Sequence, residues 1–211
     1  AAGYGDCQQM TNETDSWERF LDPEVMRPTL LSATMFITTF ELLKDCIVDR
    51  VRDFYTLGFD DKTATTPEYE QGVLSRDKKR RALPASLDWL REHHAIDEGD
   101  LEIFTRLTAI RNQLAHELFN VVTGQMPSEY DSQFPLLIAL LRKVEVWWIV
   151  NVEIPTNPDY DGQAIDESGI TPGALISLQM LIDVASGSTA LLEEWRKLHA
   201  SGRPHQPLQM P

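Results

Sequence analysis

The sequence lacks the features that mark most secreted and membrane proteins. Its 211 residues include only two cysteines, Cys7 and Cys46, which cannot build a disulfide framework and match no zinc spacing. The strongest apolar stretch, residues 136–152, is interrupted by charged residues and is shorter than the roughly 20 residues that a bilayer demands. No basic start followed by an apolar run marks a secretory signal. We therefore expect a soluble, cytoplasmic protein with no membrane partner.

Positive charge is scarce as well. Nineteen Lys and Arg stand against 33 Asp and Glu, which gives a net charge of -14. A surface this acidic opposes non-specific binding to nucleic acid or anionic lipid, so a nucleic-acid partner has to be held locally. The first methionine is Met10, so we interpret residues 1–9 as an extension foreign to the natural protein and expect 1–22 to form a flexible N-terminal segment.

Runs of alternating β-branched residues are absent, and nearly every periodic segment has the spacing of an amphipathic helix. The pattern predicts an all-α fold, an antiparallel bundle of five to six helices in a single domain over 23–200, with a disordered tail over 201–211. The predicted helices run from Pro28 to Leu57 with a lead-in at Pro23 and a cap at Gly58, from Pro67 onward after a Thr66 cap, over 84–94, over 98–123 after an Asp97 cap, over 134–152, and over 172–200 with a bend at Gly187.

The predicted helix over 98–123 carries the pattern that points most directly to chemistry. It reads LTAIRNQLAHELF, in which Arg111, Asn112 and His116 form R-N-x-x-A-H. This pattern resembles the R-x(4–6)-H motif of the HEPN family, including the polar residue that usually follows the arginine. The resemblance implies an all-helical HEPN-like domain. It also implies the activity of many HEPN proteins, metal-independent RNA cleavage by a homodimer with the motif at its interface, without a cofactor.

These three residue types suit the cleavage of RNA by its own 2′-hydroxyl. Histidine exchanges protons near neutral pH, the arginine fork binds phosphate oxygens, and the Asn112 amide can orient either group. Residues five apart on a helix are separated by about 140°, so Arg111 and His116 of one straight helix do not share a phosphate easily. Two copies of the helix at a two-fold axis would supply both an acid and a base. The motif therefore predicts a homodimer.

Two other interpretations of the motif stay open. Arg111 lies near the apolar stripe of its helix, so it also suits a structural arginine that caps carbonyls or pairs with a carboxylate, and His116 suits an ordinary exposed histidine. Other HEPN proteins have no catalytic role. The alternative function is a non-catalytic helical module for dimerisation or for binding a nucleotide or a partner protein, which the net charge favours.

The only concentrated positive charge lies between Arg76 and Arg81. We interpret Lys78, Lys79, Arg80 and Arg81 as candidate contacts to an RNA backbone that offset the acidic surface. The alternative is a solvated turn between two helices. Since many HEPN proteins are toxins or antiviral effectors, the resemblance also implies a toxin–antitoxin or abortive-infection setting, with an antitoxin protein as a partner.

Two weaker patterns favour structural interpretations. Residues 157–162 resemble the opening of a calcium loop, but the twelfth position is Ser168 rather than glutamate, which favours an acidic hinge loop and no metal. Trp147 and Trp148 lie in so apolar a segment that core or interface packing is favoured over base stacking.

Overall fold

The structure is a computed structural model that describes residues 17–18, 20–56 and 66–200, with no side-chain description for 199 and 200. The predicted flexible segment (apart from its last residues), the Gly58 cap and the predicted tail lie outside the described residues. All regular structure in the described ranges is helical, so the predicted all-α class is confirmed there. The chain divides into two compact units, Ala1–Pro172 and Gly173–Pro211, whereas the sequence pattern predicted one domain over 23–200.

Seven α-helices make up most of the described chain. They are α1 (Pro23–Phe54), α2 (Pro67–Gly72), α3 (Ala82–Glu92), α4 (Glu98–Val122), α5 (Tyr130–Trp148), α6 (Gly173–Ala185) and α7 (Ala190–Ala200). A π-helical segment, Ile149–Glu153, and a short turn, Ile154–Thr156, continue α5. Short 3₁₀ turns occur at Leu74–Arg76, Pro158–Tyr160 and Glu167–Gly169.

Helix α1 begins five residues before the predicted start at Pro28. Its cap is Asp22, whose carboxylate accepts a hydrogen bond of 2.9 Å from the Glu24 amide, and Pro23 occupies the first turn. Pro28 lies inside the helix and is exposed. Because it is so near the N-terminus, its missing N–H removes a single early backbone bond, and the helix continues through it.

The core of the first unit is built around α1, which packs against α3, α4 and α5. Phe40 of α1 stacks on Phe104 of α4, with ring centroids 5.6 Å apart. Trp89 of α3 and Trp148 of α5 are nearly parallel at 5.7 Å, and both are buried. The structure therefore supports core packing for Trp148.

The end of α1 is tied to the start of α2. Thr66 caps α2 by accepting a hydrogen bond of 3.2 Å from the Tyr69 amide, as its sequence signal predicts. The same hydroxyl donates to the carbonyl of Tyr55 at 3.3 Å. Trp89 Nε1 also donates to the Tyr55 hydroxyl at 2.9 Å, so α3 is fastened at the same place.

The second unit contains two helices where one bent helix over 172–200 was predicted. Gly187 has a φ of +92°, and the amide of Ser188 donates to the carbonyl of Asp183 at 2.9 Å while that of Gly187 donates to Val184 at 3.0 Å. This is the Schellman arrangement, in which a left-handed glycine ends a helix and satisfies its last carbonyls. The predicted bend is thus a complete break between α6 and α7.

One described segment, Glu167–Ala185, is long and apolar enough to resemble a membrane span, and 11% of it is buried. The resemblance is one of length and composition. Pro172 interrupts the segment, and the α-helical part, α6, has 13 residues. A helix of that length rises about 20 Å, which is less than the roughly 30 Å of a hydrocarbon core.

A buried carboxylate joins α5 to α1. Glu145 accepts hydrogen bonds of 2.8 Å from the Cys46 thiol and from the Arg50 guanidinium, which also pairs with the half-exposed Glu153. Burial and the adjacent Glu145 carboxylate raise the pKa of the Cys46 thiol well above its usual range, so this cysteine stays protonated. Glu145 tolerates burial because both of its oxygens have donors.

Glu145→Gln should therefore destabilise the protein. We expect a loss of about 1–3 kcal/mol in the free energy of unfolding, because Arg50 and Cys46 lose a charged acceptor inside the core. Glu153→Gln is the matched control on the same arginine and should cost about 0–1 kcal/mol, since that carboxylate is exposed. Urea unfolding measures both, and equal losses would contradict the assignment.

Candidate functional site

Helix α4, which carries the predicted motif, has a well-defined N-terminus. Asp97 and Asp100 form a capping box, with reciprocal bonds of 3.0 and 2.8 Å between side chain and backbone. Ile110 and Leu114 are buried, whereas Asn112 and His116 are exposed. The helix thus keeps two of the three motif residues on its solvent side, as their spacing of four predicts.

Arg111 lies at the edge of the core, where it pairs with a carboxylate on α1. Its Nε donates to Glu41 Oε1 at 2.8 Å, and a second guanidinium nitrogen donates to the same oxygen. The third nitrogen, Nη1, donates to the Asn112 Oδ1 at 3.3 Å. The Arg111 side chain remains 31% exposed.

The other oxygen of Glu41 accepts a hydrogen bond from the Lys44 ammonium, one turn along α1. One carboxylate therefore lies between two cations, and this cluster of Glu41, Lys44 and Arg111 carries a net charge of +1. Hydrogen bonding from Lys44, followed by that from Arg111, holds the pKa of the Glu41 carboxyl below its ordinary value, although partial burial opposes the shift.

His116 lies directly before an irregularity in α4. Glu117 has φ -124° and ψ 24°, which interrupts the helical conformation, and its carboxylate accepts a bond of 2.6 Å from Asn120. Within the described part of the chain, the His116 ring forms no hydrogen bond with Arg111 or Asn112. A single chain therefore brings Arg111, Asn112 and Glu41 together and leaves the histidine separate.

Sequence reasoning missed Glu41 and Lys44. Glu41 is 70 residues away from Arg111 in the chain, and its pairing depends on how α1 packs against α4. The one local signal is the spacing of Glu41 and Lys44, which lets an acid and a base pair on one helix surface. That signal is common on exposed helices and does not indicate which third residue joins it.

The basic run between α2 and α3 forms an ordered turn. Arg81 binds Asp77 with two hydrogen bonds of 3.1 and 3.0 Å, which holds the Asp77 pKa well below its usual range. Arg80 has a φ of +53° and lies 3.6 Å from a Glu70 carboxylate oxygen. Lys78 and Lys79 are exposed, and no side-chain ion pair engages them in the described chain. Two of the four predicted RNA contacts are thus partly neutralised by acids.

The segment that resembles a calcium loop has a different organisation. Asn157 uses its side chain to cap the turn at Pro158–Tyr160, accepting a bond of 3.0 Å from the Asp159 amide. Nowhere in the described ranges do three or more His, Cys, Asp or Glu side chains form a group suited to a metal ion.

Comparison with known proteins gives no match: no family model, no curated protein and no solved structure is similar to this chain.

The Glu41 cluster should make the free energy of unfolding depend on pH in the acidic range. The pKa of Glu41 in the folded protein lies below its ordinary value of 4.5, so the contribution of the cluster is complete above that pH. It is lost as the pH falls through the folded-state pKa. The gap in unfolding free energy between wild type and Glu41→Gln should therefore narrow on acidification. Glu102→Gln, an exposed change on α4, is the control and should show a small gap at every pH.

Proposed function

We propose that this protein is a HEPN-like, metal-independent endoribonuclease that acts as a homodimer. The observation that supports the proposal is the arrangement of the three motif residues on α4. Arg111 is paired with Glu41 and partly exposed, its Nη1 donates to Asn112 Oδ1, and His116 is exposed on the same helix. A fixed cation and an exposed imidazole are the two groups that attack of a 2′-hydroxyl on the adjacent phosphate requires, and a second copy of α4 would bring them to one phosphate.

In the proposed reaction Arg111 binds the scissile phosphate and His116 moves protons. The 2′-oxygen attacks the adjacent phosphorus and loses its proton to a base, while the 5′-oxygen of the next nucleotide leaves and takes a proton from an acid. One His116 cannot hold both roles at once. The second role therefore falls to His116 of the partner subunit. The proposal accordingly includes an antiparallel helical bundle in each subunit and a two-fold axis that relates the two subunits.

Glu41 acts in this scheme as a positioning residue. A guanidinium fork that is held on one side by a carboxylate loses little freedom when a phosphate binds on the other side. Lys44 neutralises the same carboxylate, so the cluster keeps a net positive charge toward an incoming phosphate. The proposed setting is a cytoplasmic toxin or abortive-infection effector with an antitoxin partner.

A non-catalytic helical module is the second candidate. The Arg111–Glu41 pair is the arrangement expected of a structural arginine, and the net charge of -14 opposes RNA binding. In that case the helices would serve dimerisation or the binding of a nucleotide or a protein. The two functions differ in one measurable property, the cleavage of RNA.

Cleavage of mixed RNA by the pure protein in EDTA tests the first candidate. Arg111→Ala and His116→Ala should each slow it by roughly 10²–10⁴-fold, because each removes phosphate binding or proton transfer. The matched controls are Arg106→Ala, an exposed arginine of α4, and His94→Asn, an exposed histidine elsewhere. Equal residual degradation by all five proteins would identify a contaminant and favour the non-catalytic module.

The ordered basic turn gives a separate prediction for RNA affinity. Lys78→Gln with Lys79→Gln should weaken binding and reduce the slope of log affinity against log salt by about 0.7 for each phosphate that the lysines no longer neutralise. Arg81→Gln should change the slope less, because Asp77 already neutralises that guanidinium. Binding is measured with His116→Ala protein, so that the RNA stays intact. An unchanged slope in the double variant would make the turn a structural feature.

A further inference from the structure

A cavity of about 420 Å³ lies within the first unit, between the turn that joins α3 to α4, helix α5 and the 3₁₀ turn that begins at Glu167. Its volume falls within the range of about 300–1,000 Å³ that is typical of small-molecule sites. Four small apolar side chains form part of its lining: Ala95, Ala139, Val146 and Val150. The cavity therefore offers an apolar surface for the body of a small organic ligand.

Arg142 gives this cavity a fixed cation. Its Nη2 donates to the backbone carbonyls of Glu167, Ser168 and Ile170 at 3.0, 3.4 and 3.2 Å. Within the described chain, its Nε and Nη1 form no hydrogen bond, and no carboxylate pairs with it. The guanidinium is thus anchored through one nitrogen and keeps other donors for a ligand, which suits the oxygens of a carboxylate.

The other charges at the cavity favour a ligand with a single negative charge. Lys143 also lines the cavity, but its ammonium already bonds to the Asp97 carboxylate at 3.0 Å and to that of Asp100. Glu167 adds a carboxylate to the lining. One available cation beside these acids suits a monocarboxylate better than a phosphate monoester, which carries a charge of about -1.5 to -2 at neutral pH.

Trp147 supplies an aromatic wall. Its half-buried ring makes edge-to-face contacts with Trp148 and Trp89, at centroid distances of 5.1 and 6.0 Å. Because two other rings hold it in place, an aromatic ligand can pack on it with little loss of side-chain freedom. The π-helical segment Ile149–Glu153 begins two residues later and contributes Val150 to the lining. Such segments occur frequently at functional sites.

His94 reaches the same cavity from an uncommon backbone conformation. Its φ is +59°, and the amide of Ala95 donates to the carbonyl of Leu90 at 2.9 Å, so α3 ends in the Schellman arrangement that Gly187 forms after α6. Glycine adopts this conformation without the steric cost that a side chain meets. The His94 ring lines the cavity and forms no hydrogen bond in the described chain. A binding role for this ring accounts for histidine at a position that suits glycine.

We propose that this cavity binds a small aromatic monocarboxylate. The guanidinium of Arg142 binds the carboxylate, the Trp147 ring packs against the aromatic body, and the His94 ring forms part of the surrounding wall. The residues of the RNA motif on α4 do not line this cavity. The proposal needs no RNA chemistry, so it stands apart from the ribonuclease activity.

Isothermal titration calorimetry of the full chain with phenylacetate tests the proposal. Wild type should bind it with a Kd below about 1 mM, as expected for a ligand of this size. Phenylacetamide has nearly the same shape without the charge and should bind about 10-fold more weakly or worse. Cyclohexylacetate keeps the charge but lacks the aromatic ring, and it should bind about 3–10-fold more weakly.

Two substitutions test the assigned contacts. Arg142→Gln should weaken phenylacetate binding by about 10-fold or more, because the carboxylate loses its charged donor. Trp147→Leu should weaken it by about 3–10-fold. Arg106→Gln and Trp17→Leu are the matched controls, since both side chains are exposed and neither lines the cavity, and they should leave the Kd unchanged. Circular dichroism of each variant confirms that the helices remain folded.

His94→Gly separates a binding role from a structural one. Because glycine suits the left-handed position, this variant should unfold at the same urea concentration as wild type or at a higher one. It should nevertheless bind phenylacetate about threefold more weakly or worse, because the cavity loses part of its wall. A variant that binds as tightly as wild type would overturn the role of His94.

Three outcomes would overturn the proposed site. The first is a wild type that does not bind phenylacetate at concentrations up to about 10 mM. The second is binding that Arg142→Gln leaves unchanged, which would place the ligand elsewhere. The third is tighter binding of uridine 5′-monophosphate than of phenylacetate, which would assign the cavity to phosphate. None of these results bears on RNA cleavage, so the two proposals fail separately.

Discussion

The packing of three helices against α1 is the constraint on which the first unit depends. Helix α1 has 32 residues and packs against α3, α4 and α5 along its length. No other described element packs against all three to a comparable extent. The same helix carries Glu41, which holds Arg111, and the Cys46–Arg50 pair, which holds Glu145. The core and the candidate site therefore rest on one element, and a shift of α1 would disturb both.

The sequence pattern predicted the type of every main helix, and local signals decided how well it placed their ends. Thr66 and Asp97 cap α2 and α4 where their signals predict. The pattern failed at Pro28, which was predicted to begin the main helix and instead lies inside α1, and at Gly187, where a glycine inside an apolar segment ends α6 completely. The left-handed backbone conformation of Gly187 causes that second difference.

The candidate site, too, could be predicted from the sequence only in part. The exposure of Asn112 and His116 follows from helical periodicity, and the pairing of Arg111 with an acid was among the open alternatives. The identity of Glu41 as that acid depends on tertiary packing. Glu145 is the opposite case, since it was counted as a charge that interrupts an apolar segment and is in fact buried. Only the donors on α1, which lie far away in the chain, make that burial tolerable.

The bond between Thr66 and the Tyr55 carbonyl has a practical consequence for protein engineering. It holds together two points of the chain that are 11 residues apart, and the α2 cap uses the same hydroxyl. A substitution that removes this hydroxyl takes away both hydrogen bonds at once, so position 66 is poorly suited to replacement when the protein is modified.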